Sequence, residues 1–147
     1  MHSAAASDLD PATYNSFIEG LELASVEIVK LHAERTNVGK AGETTFDLTA
    51  SYIQDGVAVH YRYDLTAYLT DDDGNSLGNV AASVLIATRA ADAADPACIE
   101  QFGATSGVLI AHPYLREAVA SSAQRIGFPG VLPPMIKSRP ADPTVAK

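Results

Sequence analysis

The sequence lacks several features that would quickly assign it to a class of protein. It has one cysteine, Cys98, so no internal disulfide can form, and this usage is typical of a reducing compartment. It has only 10 Lys and Arg residues against 18 Asp and Glu, and the formal net charge of −8 argues against non-specific binding to nucleic acid or to an anionic membrane. No basic cluster has interleaved aromatics, so we expect no nucleic-acid partner.

Targeting and membrane signals are also missing. The start, MHSAAASDLDP, has neither a basic segment nor a continuous apolar run, and no apolar stretch approaches the length of a membrane span. These absences favour a soluble, cytoplasmic protein. The length of 147 residues favours one domain, which we expect at residues 11–136, between a flexible N-terminus (residues 1–10) and a flexible, proline-containing tail (residues 137–147).

Helical periodicity occurs near both ends of the chain. Asp10-Pro11 is a typical helix start, and the apolar spacing that follows predicts a short helix from Pro11 to Glu22. A longer helix is predicted to begin at Pro113, which suits a first turn, and to end at Gly127, which can close it in the left-handed conformation. Before it, Asp95-Pro96 predicts a short helical turn that Gly103 and Gly107 interrupt.

Four strands are predicted between the helices, from alternating apolar and polar residues. They cover Ser25 to Arg35, Thr44 to Ile53, Val57 to Thr70 and Leu77 to Arg89. A shift in the apolar pattern between Ile28 and Val29 predicts either a bulge or a strand that is buried on both sides there. The predicted fold is α+β, a four-stranded antiparallel meander sheet followed by a long helix. One helix cannot cover four such strands, so either a partner subunit covers the remainder or this surface binds something.

Candidates for catalysis and metal binding are few. His2, His32, His60, His112 and Cys98 have no metal-ligand spacing, and we expect neither a metal nor a cofactor. Asp71 to Asp73 lack the glycine and glutamate positions of a calcium loop, which favours an acidic hairpin turn.

One strand face gives an alternative hypothesis, a small α+β enzyme or ligand-binding domain. His60, Arg62 and Asp64 share that face and could form an acid–base group. The simpler interpretation is a solvated or interface face of the strand, and overall we expect no enzyme.

Aromatic residues are concentrated on the second and third strands: Phe46, Tyr52, Tyr61, Tyr63 and Tyr68. Core packing and cross-strand pairing account for most of such a set. The functional interpretation is an adaptable apolar groove at the edge of the sheet that binds extended polypeptide.

The long helical region carries a motif. Its start, Pro113-Tyr114-Leu115-Arg116-Glu117, is followed by Arg125-Ile126-Gly127-Phe128-Pro129. This combination resembles the SecB export-chaperone family, in which a Pro-Tyr-x-Arg-Glu helix start precedes a Phe-Pro turn. The organisation of Ser25 to Pro134 matches that family. The proline-rich exit and the helix before the first strand look more like actinobacterial SecB-like chaperones associated with toxin–antitoxin systems.

The resemblance implies an ATP-independent holdase that is a homotetramer, a dimer of dimers, without a cofactor. Its clients would be unfolded or nascent polypeptides, either preproteins for Sec-dependent export and translocation or an antitoxin, and the Sec translocase motor would be a further partner. By position, the groove would use one strand face and the nearby helix: Phe46, Leu48, Ala50, Tyr52, Leu115, Val119 and Ile126. Arg116 and Glu117 are interpreted structurally, as an inward-anchored polar pair that fixes the helix start.

Two departures from the family limit what it implies. Residues 131–147 contain no counterpart of the second helix that lies over the groove in the export chaperones. The acidic contacts to the translocase motor have only loose candidates here, namely Glu27, Glu34 and Asp47. The sequence does not separate a general preprotein pool from one dedicated antitoxin.

Overall fold

The protein is an α+β layer, in which helices cover one face of a four-stranded antiparallel sheet, and the computed structural model describes residues 9–135. The helices are α1 (Pro11–Glu19), α2 (Pro96–Phe102) and α3 (Val108–Arg125), and a π-helical turn (Gly103–Gly107) joins α2 to α3. The strands are β1 (Glu22–Arg35), β2 (Glu43–Asp55), β3 (Ala58–Thr70) and β4 (Ser76–Arg89). The predicted fold class is confirmed. The flexibility predicted for residues 1–8 and 137–147 concerns residues outside the described range.

The sheet order is β1-β4-β3-β2, so β2, β3 and β4 form a meander and β1 lies beside β4. The pairing of β1 with β2 that an unbroken four-strand meander implies does not occur. The reason is the connection after β1, in which the backbone N–H groups of Thr36 and Asn37 both donate to the Leu77 carbonyl at the start of β4. The connection therefore crosses the end of the sheet, and β1 and β2 become its two edges.

The core lies between the sheet and the helices, on what we call the inner face. Odd-numbered residues of β3 from Val59 to Leu69 and even-numbered residues of β4 from Val80 to Ile86 are buried there. Leu115 and Val119 of α3 pack in the same cluster. The alternation predicted for β3 thus corresponds to burial on one face.

Strand β1 contains a bulge, which is one of the two predicted alternatives. Its register with β4 shifts between Ile28 and Lys30, which leaves Val29 as the extra residue, and a second shift lies between Leu23 and Ser25. A bulge moves the following side chains by one residue relative to the partner strand. Leu31 consequently lies opposite Ala82, on the inner face.

The predicted start of the long helix at Pro113 is wrong, because α3 begins at Val108 and Pro113 lies inside it. Gly103 and Gly107 do not interrupt the helical segment, which continues through them as the π-turn. A Cβ on Gly103 would lie 3.0 Å from the Tyr61 ring, and a Cβ on Gly107 would overlap the Tyr63 hydroxyl. The glycines therefore allow the helices to approach the sheet closely, and this packing outweighs their weak helix propensity.

The end of α3 is held by Arg35 from the end of β1. Its Nη1 donates to the Ile126 carbonyl at 2.9 Å, and its guanidinium carbon lies 4.4 Å from the centre of the Phe128 ring. Gly127 has φ 97°, the left-handed conformation predicted for the helix end. Arg35 thus satisfies a free helix carbonyl and fixes the Phe-Pro turn by a cation–π contact.

Residues 128–135, which we call the strap, run back along α3 without regular secondary structure. His112 Nε2 donates to the Pro134 carbonyl at 2.8 Å, and Arg116 Nε donates to the Pro133 carbonyl at 2.7 Å. Phe128, Val131 and Pro133 are buried. Prolines have no backbone N–H, so this proline-rich segment cannot form regular secondary structure of its own. Side chains of α3 donate to its carbonyls instead.

Candidate functional site

The candidate site is built on β2, one of the two edge strands. Its alternate residues Phe46, Leu48, Ala50 and Tyr52 face inward, are half-buried, and lie in register opposite Ala67, Leu65, Tyr63 and Tyr61 of β3. Because β2 has a partner on one side only, its other backbone edge is free among the described residues. This combination of a half-covered apolar row and a free strand edge is suited to an extended polypeptide.

A cavity of about 180 Å³ lies between β2 and the helical layer, and we call it the strand cavity. Ala50 and Tyr52 form its strand side, and Ile99, Glu100 and Ala104 form its helix side. Tyr61 and Tyr63 line its floor. Two residues of the predicted groove therefore line a real cavity at the edge of the sheet.

The two floor tyrosines hold the helical layer in place. Tyr61 Oη donates to the Ile99 carbonyl at 3.0 Å, and Tyr63 Oη donates to the Gly103 carbonyl at 2.7 Å. Burial raises the pKa of both phenols well above the usual range, so both remain neutral donors. The π-turn begins at Gly103, where the helix widens from four-residue to five-residue spacing.

An aromatic row crosses the site from β2 to α1. The ring centres are 6.2 Å apart for Tyr52 and Tyr61, 5.3 Å for Tyr61 and Phe102, and 6.4 Å for Phe102 and Phe17. The last pair is edge-on, with planes at 76°. These separations are typical of favourable aromatic contacts, and they link β2 to α1 through the buried rings of Tyr61 and Phe102.

The helix residues predicted for the groove lie deeper than the strand residues. Leu115 and Val119 are fully buried in the core, and Ile126, at the end of α3, is partly buried. The structure therefore brings together Phe46, Leu48, Ala50 and Tyr52 as an accessible row, supported from beneath by the core.

The motif residues have structural positions that the sequence did not fully anticipate. Arg116 holds the strap through the Pro133 carbonyl, and it does not fix a helix start as predicted. Tyr114 and Glu117 are exposed, as are Pro113 and Pro129. Phe128 is buried beneath Arg35, beside Gly127.

The alternative acid–base face is only partly assembled. Arg62 Nε lies 3.1 Å from Asp64 Oδ1, and both side chains contact the Ser83 hydroxyl from the neighbouring strand. His60 lies exposed on the same face and makes no hydrogen bond to this pair in the described part of the chain. The strand cavity is not lined by these three residues, and the Arg62–Asp64 pair is partly exposed to solvent.

The acidic segment between β3 and β4 follows the sequence expectation. Asp71 accepts from the backbone N–H groups of Asp73 and Asn75, each at 2.9 Å, which makes the acidic segment a hairpin turn. Within residues 9–135, no three His, Cys, Asp or Glu side chains form a group that could hold a metal ion. The same residues include no helix long and apolar enough to cross a membrane.

Sequence reasoning missed several residues that shape the site: Phe17, Ile99, Phe102, Gly103, Gly107 and Ala104. A usable signal existed, because glycines four residues apart in a helical segment share a face and mark a close approach. Their tyrosine partners come from β3 and could be matched to them only with the tertiary structure.

This fold, a four-stranded antiparallel sheet with helices on one face, is similar to that of a solved SecB-like chaperone. A similar solved structure is the Mycobacterium tuberculosis SecB-like chaperone Rv1957, in complex with a ChAD peptide from the Rv1956 HigA1 antitoxin. The TM-score is 0.70 at 18% sequence identity, and the match covers 88% of this chain and 96% of that chain. No protein-family model matches the chain, and no curated protein matches it significantly. The suspected resemblance is therefore confirmed at the level of the fold.

Proposed function

We propose that this protein is an ATP-independent holdase, which binds non-native polypeptide along the inner side of β2. The observation that carries the proposal is the accessible apolar row of Phe46, Leu48, Ala50 and Tyr52 on an edge strand, next to an aromatic cavity. An extended segment can place its own apolar side chains on this row. The neighbour's bound antitoxin peptide supports polypeptide as the class of ligand.

We also propose that the protein assembles as a homotetramer, a dimer of dimers. Strand β1 is the second edge of the sheet, and its large side chains Ile28, Val29 and Leu31 are 46%, 44% and 54% exposed. An exposed apolar edge of this length is an aggregation hazard unless another chain covers it. Two copies can cover each other through the same strand, as a two-fold interface requires.

The client is either one dedicated antitoxin or a wider set of preproteins for Sec-dependent export. The first possibility is supported by the peptide in the neighbouring structure. The second is supported by acidic side chains on the outer face of the sheet, where Glu27, Glu34 and Asp47 are exposed and could meet a basic surface of the translocase motor. Identification of the proteins that copurify with the untagged chain distinguishes one antitoxin from many preproteins.

The decisive substitution for the holdase is Leu48→Asp. A charge on the apolar row must lose its hydration against a client side chain, so we expect the variant to lose at least about ten-fold in client affinity. The measurement is light scattering of an unfolded client during aggregation, at stoichiometric chaperone and without nucleotide.

The matched control is Thr45→Asp, which adds the same charge to the same strand, but at an exposed position on the outer face. It should protect the client as the wild type does. Equal protection by the two variants, or no protection by the wild type, would contradict the proposal. Dissociation of the Leu48→Asp variant would instead place Leu48 in a subunit interface.

A further inference from the structure

Two basic side chains of α3 hold the far end of the strap. His112 Nε2 donates to the Pro134 carbonyl, and Arg116 Nε donates to the Pro133 carbonyl. The two residues are four positions apart and therefore share one face of α3. The strap itself has no charged side chain, so both bonds end on main-chain oxygen atoms.

The strap covers apolar surface. Phe128 and Val131 belong to the same buried cluster as Leu115 of α3, and Pro133 is fully buried. Leu132, by contrast, is 55% exposed. The strap therefore has an inner side that packs on the core and an outer side that faces solvent. Its displacement exposes the inner side and the helix surface beneath it.

The start of the strap is anchored separately, at the end of α3. The guanidinium carbon of Arg35 lies 4.4 Å from the centre of the Phe128 ring. Gly130 follows, and no atom lies within 4 Å of the position that a Cβ would take there. Because glycine has wide backbone freedom, residues 131–135 can swing away from α3 about Gly130 while Phe128 stays in place.

The bond to Pro134 fixes the protonation state of His112. A carbonyl oxygen can only accept, so Nε2 carries the proton of the neutral imidazole. Nδ1 is then an acceptor, and it is buried without a hydrogen-bond partner. A second proton has to be placed on Nδ1, where it becomes a buried donor without an acceptor. Such a group costs free energy for as long as it stays buried.

The surroundings of the His112 imidazole do not offset a positive charge. Arg116 is the charged group that acts on it, and it is itself cationic. The strap and the π-turn contribute no titratable side chain. The inner faces of β1, β3 and β4, on which α3 packs, carry two neutral phenols, Tyr61 and Tyr63, and one charge, Arg35 at the opposite end of α3.

We propose that the strap is an acid-released cover, in which proton uptake by His112 detaches residues 131–135 from α3 while the rest of the fold stays closed. Release brings Nδ1 into water, where the imidazolium is solvated. The proposal concerns the conformation of the strap and is independent of the proposed holdase function. For a holdase, release means additional apolar surface at acidic pH.

The size of the response follows from the uptake of one proton. Burial lowers the pKa of His112 in the closed state, and Arg116 adds to this effect against the bond to Pro134. In the released state the imidazole has an ordinary pKa of about 6.5. The ratio of released to closed strap therefore rises as the pH falls, by up to about ten-fold between about pH 7.5 and about pH 5.5.

The test compares thiol labelling at two neighbouring positions of the strap. Val131→Cys places a thiol on the buried inner side, and Leu132→Cys places one on the exposed outer side. Dithiodipyridine labels both, and the ratio of the two rates cancels the pH dependence of the reaction itself. We expect the ratio of the Val131→Cys rate to the Leu132→Cys rate to rise about five- to ten-fold over this pH interval. Labelling of Cys98, which is buried in the core, should stay slow throughout.

The matching variant is His112→Gln, which can still donate to the Pro134 carbonyl but takes up no proton. Added to both cysteine variants, it should leave the ratio of rates constant with pH. Its control is His60→Gln, which removes an exposed histidine on the outer face of β3 and should retain the full response.

Three results overturn the inference: a ratio that does not change with pH, an equal rise with and without His112→Gln, or labelling of Cys98 in parallel with Val131→Cys. The last result identifies global unfolding. If Val131→Cys does not fold, nuclear magnetic resonance of the wild type decides the question. The Val131 methyl signals must then shift with the same midpoint as the His112 ring, and different midpoints also overturn the inference.

Discussion

At the scale of single residues, Gly107 sets how closely the helical layer approaches the sheet. A Cβ there would overlap the Tyr63 hydroxyl, which already donates to the Gly103 carbonyl. Gly107 therefore leaves open the space that the Tyr63 hydroxyl occupies when it makes this hydrogen bond. This contact positions the helix side of the strand cavity, because Gly103 and Ala104 line it.

We predict that Gly107→Ala lowers the free energy of unfolding by about 1–3 kcal/mol, the usual range for overpacking. Tyr63→Phe removes the hydroxyl and should relieve part of this loss, so the double variant is less destabilised than the sum of the single variants. Chemical denaturation of the four proteins measures the coupling. Gly130→Ala, where no atom lies within 4 Å of the added Cβ, is the control. Additive losses would contradict the proposed contact.

At the scale of elements, the strap depends on α3 for its position. His112 is almost completely buried, its Nε2 donates to the Pro134 carbonyl, and its Nδ1 has no hydrogen-bond partner. Burial lowers the pKa of His112, and the nearby Arg116 guanidinium adds to the effect, although the bond to Pro134 opposes it. The folded protein therefore favours the neutral imidazole.

This lowered pKa gives the stability of the protein a definite pH dependence. The unfolded chain binds a proton at His112 more readily, so the contribution is complete above about pH 6.5 and is lost as the pH falls from there through the folded-state pKa. We predict that His112→Gln, which can still donate to Pro134, loses less stability than the wild type between about pH 7.5 and pH 5. Thermal unfolding across this interval measures the difference. Parallel losses in the two proteins would show that His112 is not responsible.

At the scale of the whole molecule, the uncovered surface is the dominant feature. The helices pack on the inner face of the sheet, while the large side chains of β1 remain about half exposed. This surface is the basis of the proposed assembly, because an exposed apolar strand edge is an aggregation hazard when nothing covers it.

We predict a solution mass near four times the chain mass of 15.4 kDa, and a smaller mass for Leu31→Lys. A lysine in the centre of the β1 surface would place an unpaired charge in the subunit interface, which is costly. Ile53→Lys, at an exposed apolar position of β2, serves as the control and should leave the mass unchanged. Light scattering coupled to size exclusion measures all three proteins. A monomeric wild type would contradict the proposed assembly.

Much of this architecture could be predicted from local patterns. The alternation from Val57 to Thr70 predicted β3 within one residue, and the break in periodicity after Ile28 predicted a bulge as one of two alternatives. Both succeed because burial of one strand face imposes a period of two on the sequence. The row from Phe46 to Tyr52 followed from the same rule.

The remaining features depend on contacts between residues distant in sequence. Pro113 and the two glycines of the π-turn have local preferences that predict helix boundaries, yet close packing on Tyr61 and Tyr63 makes the helical segment continuous. Likewise, the position of β1 beside β4, the bond from Arg116 to the strap and the strand cavity have no local signal. The sequence by itself determined the strands, their inner faces and the motif. Only the tertiary structure decided how the faces meet, because that depends on which distant side chains fit together.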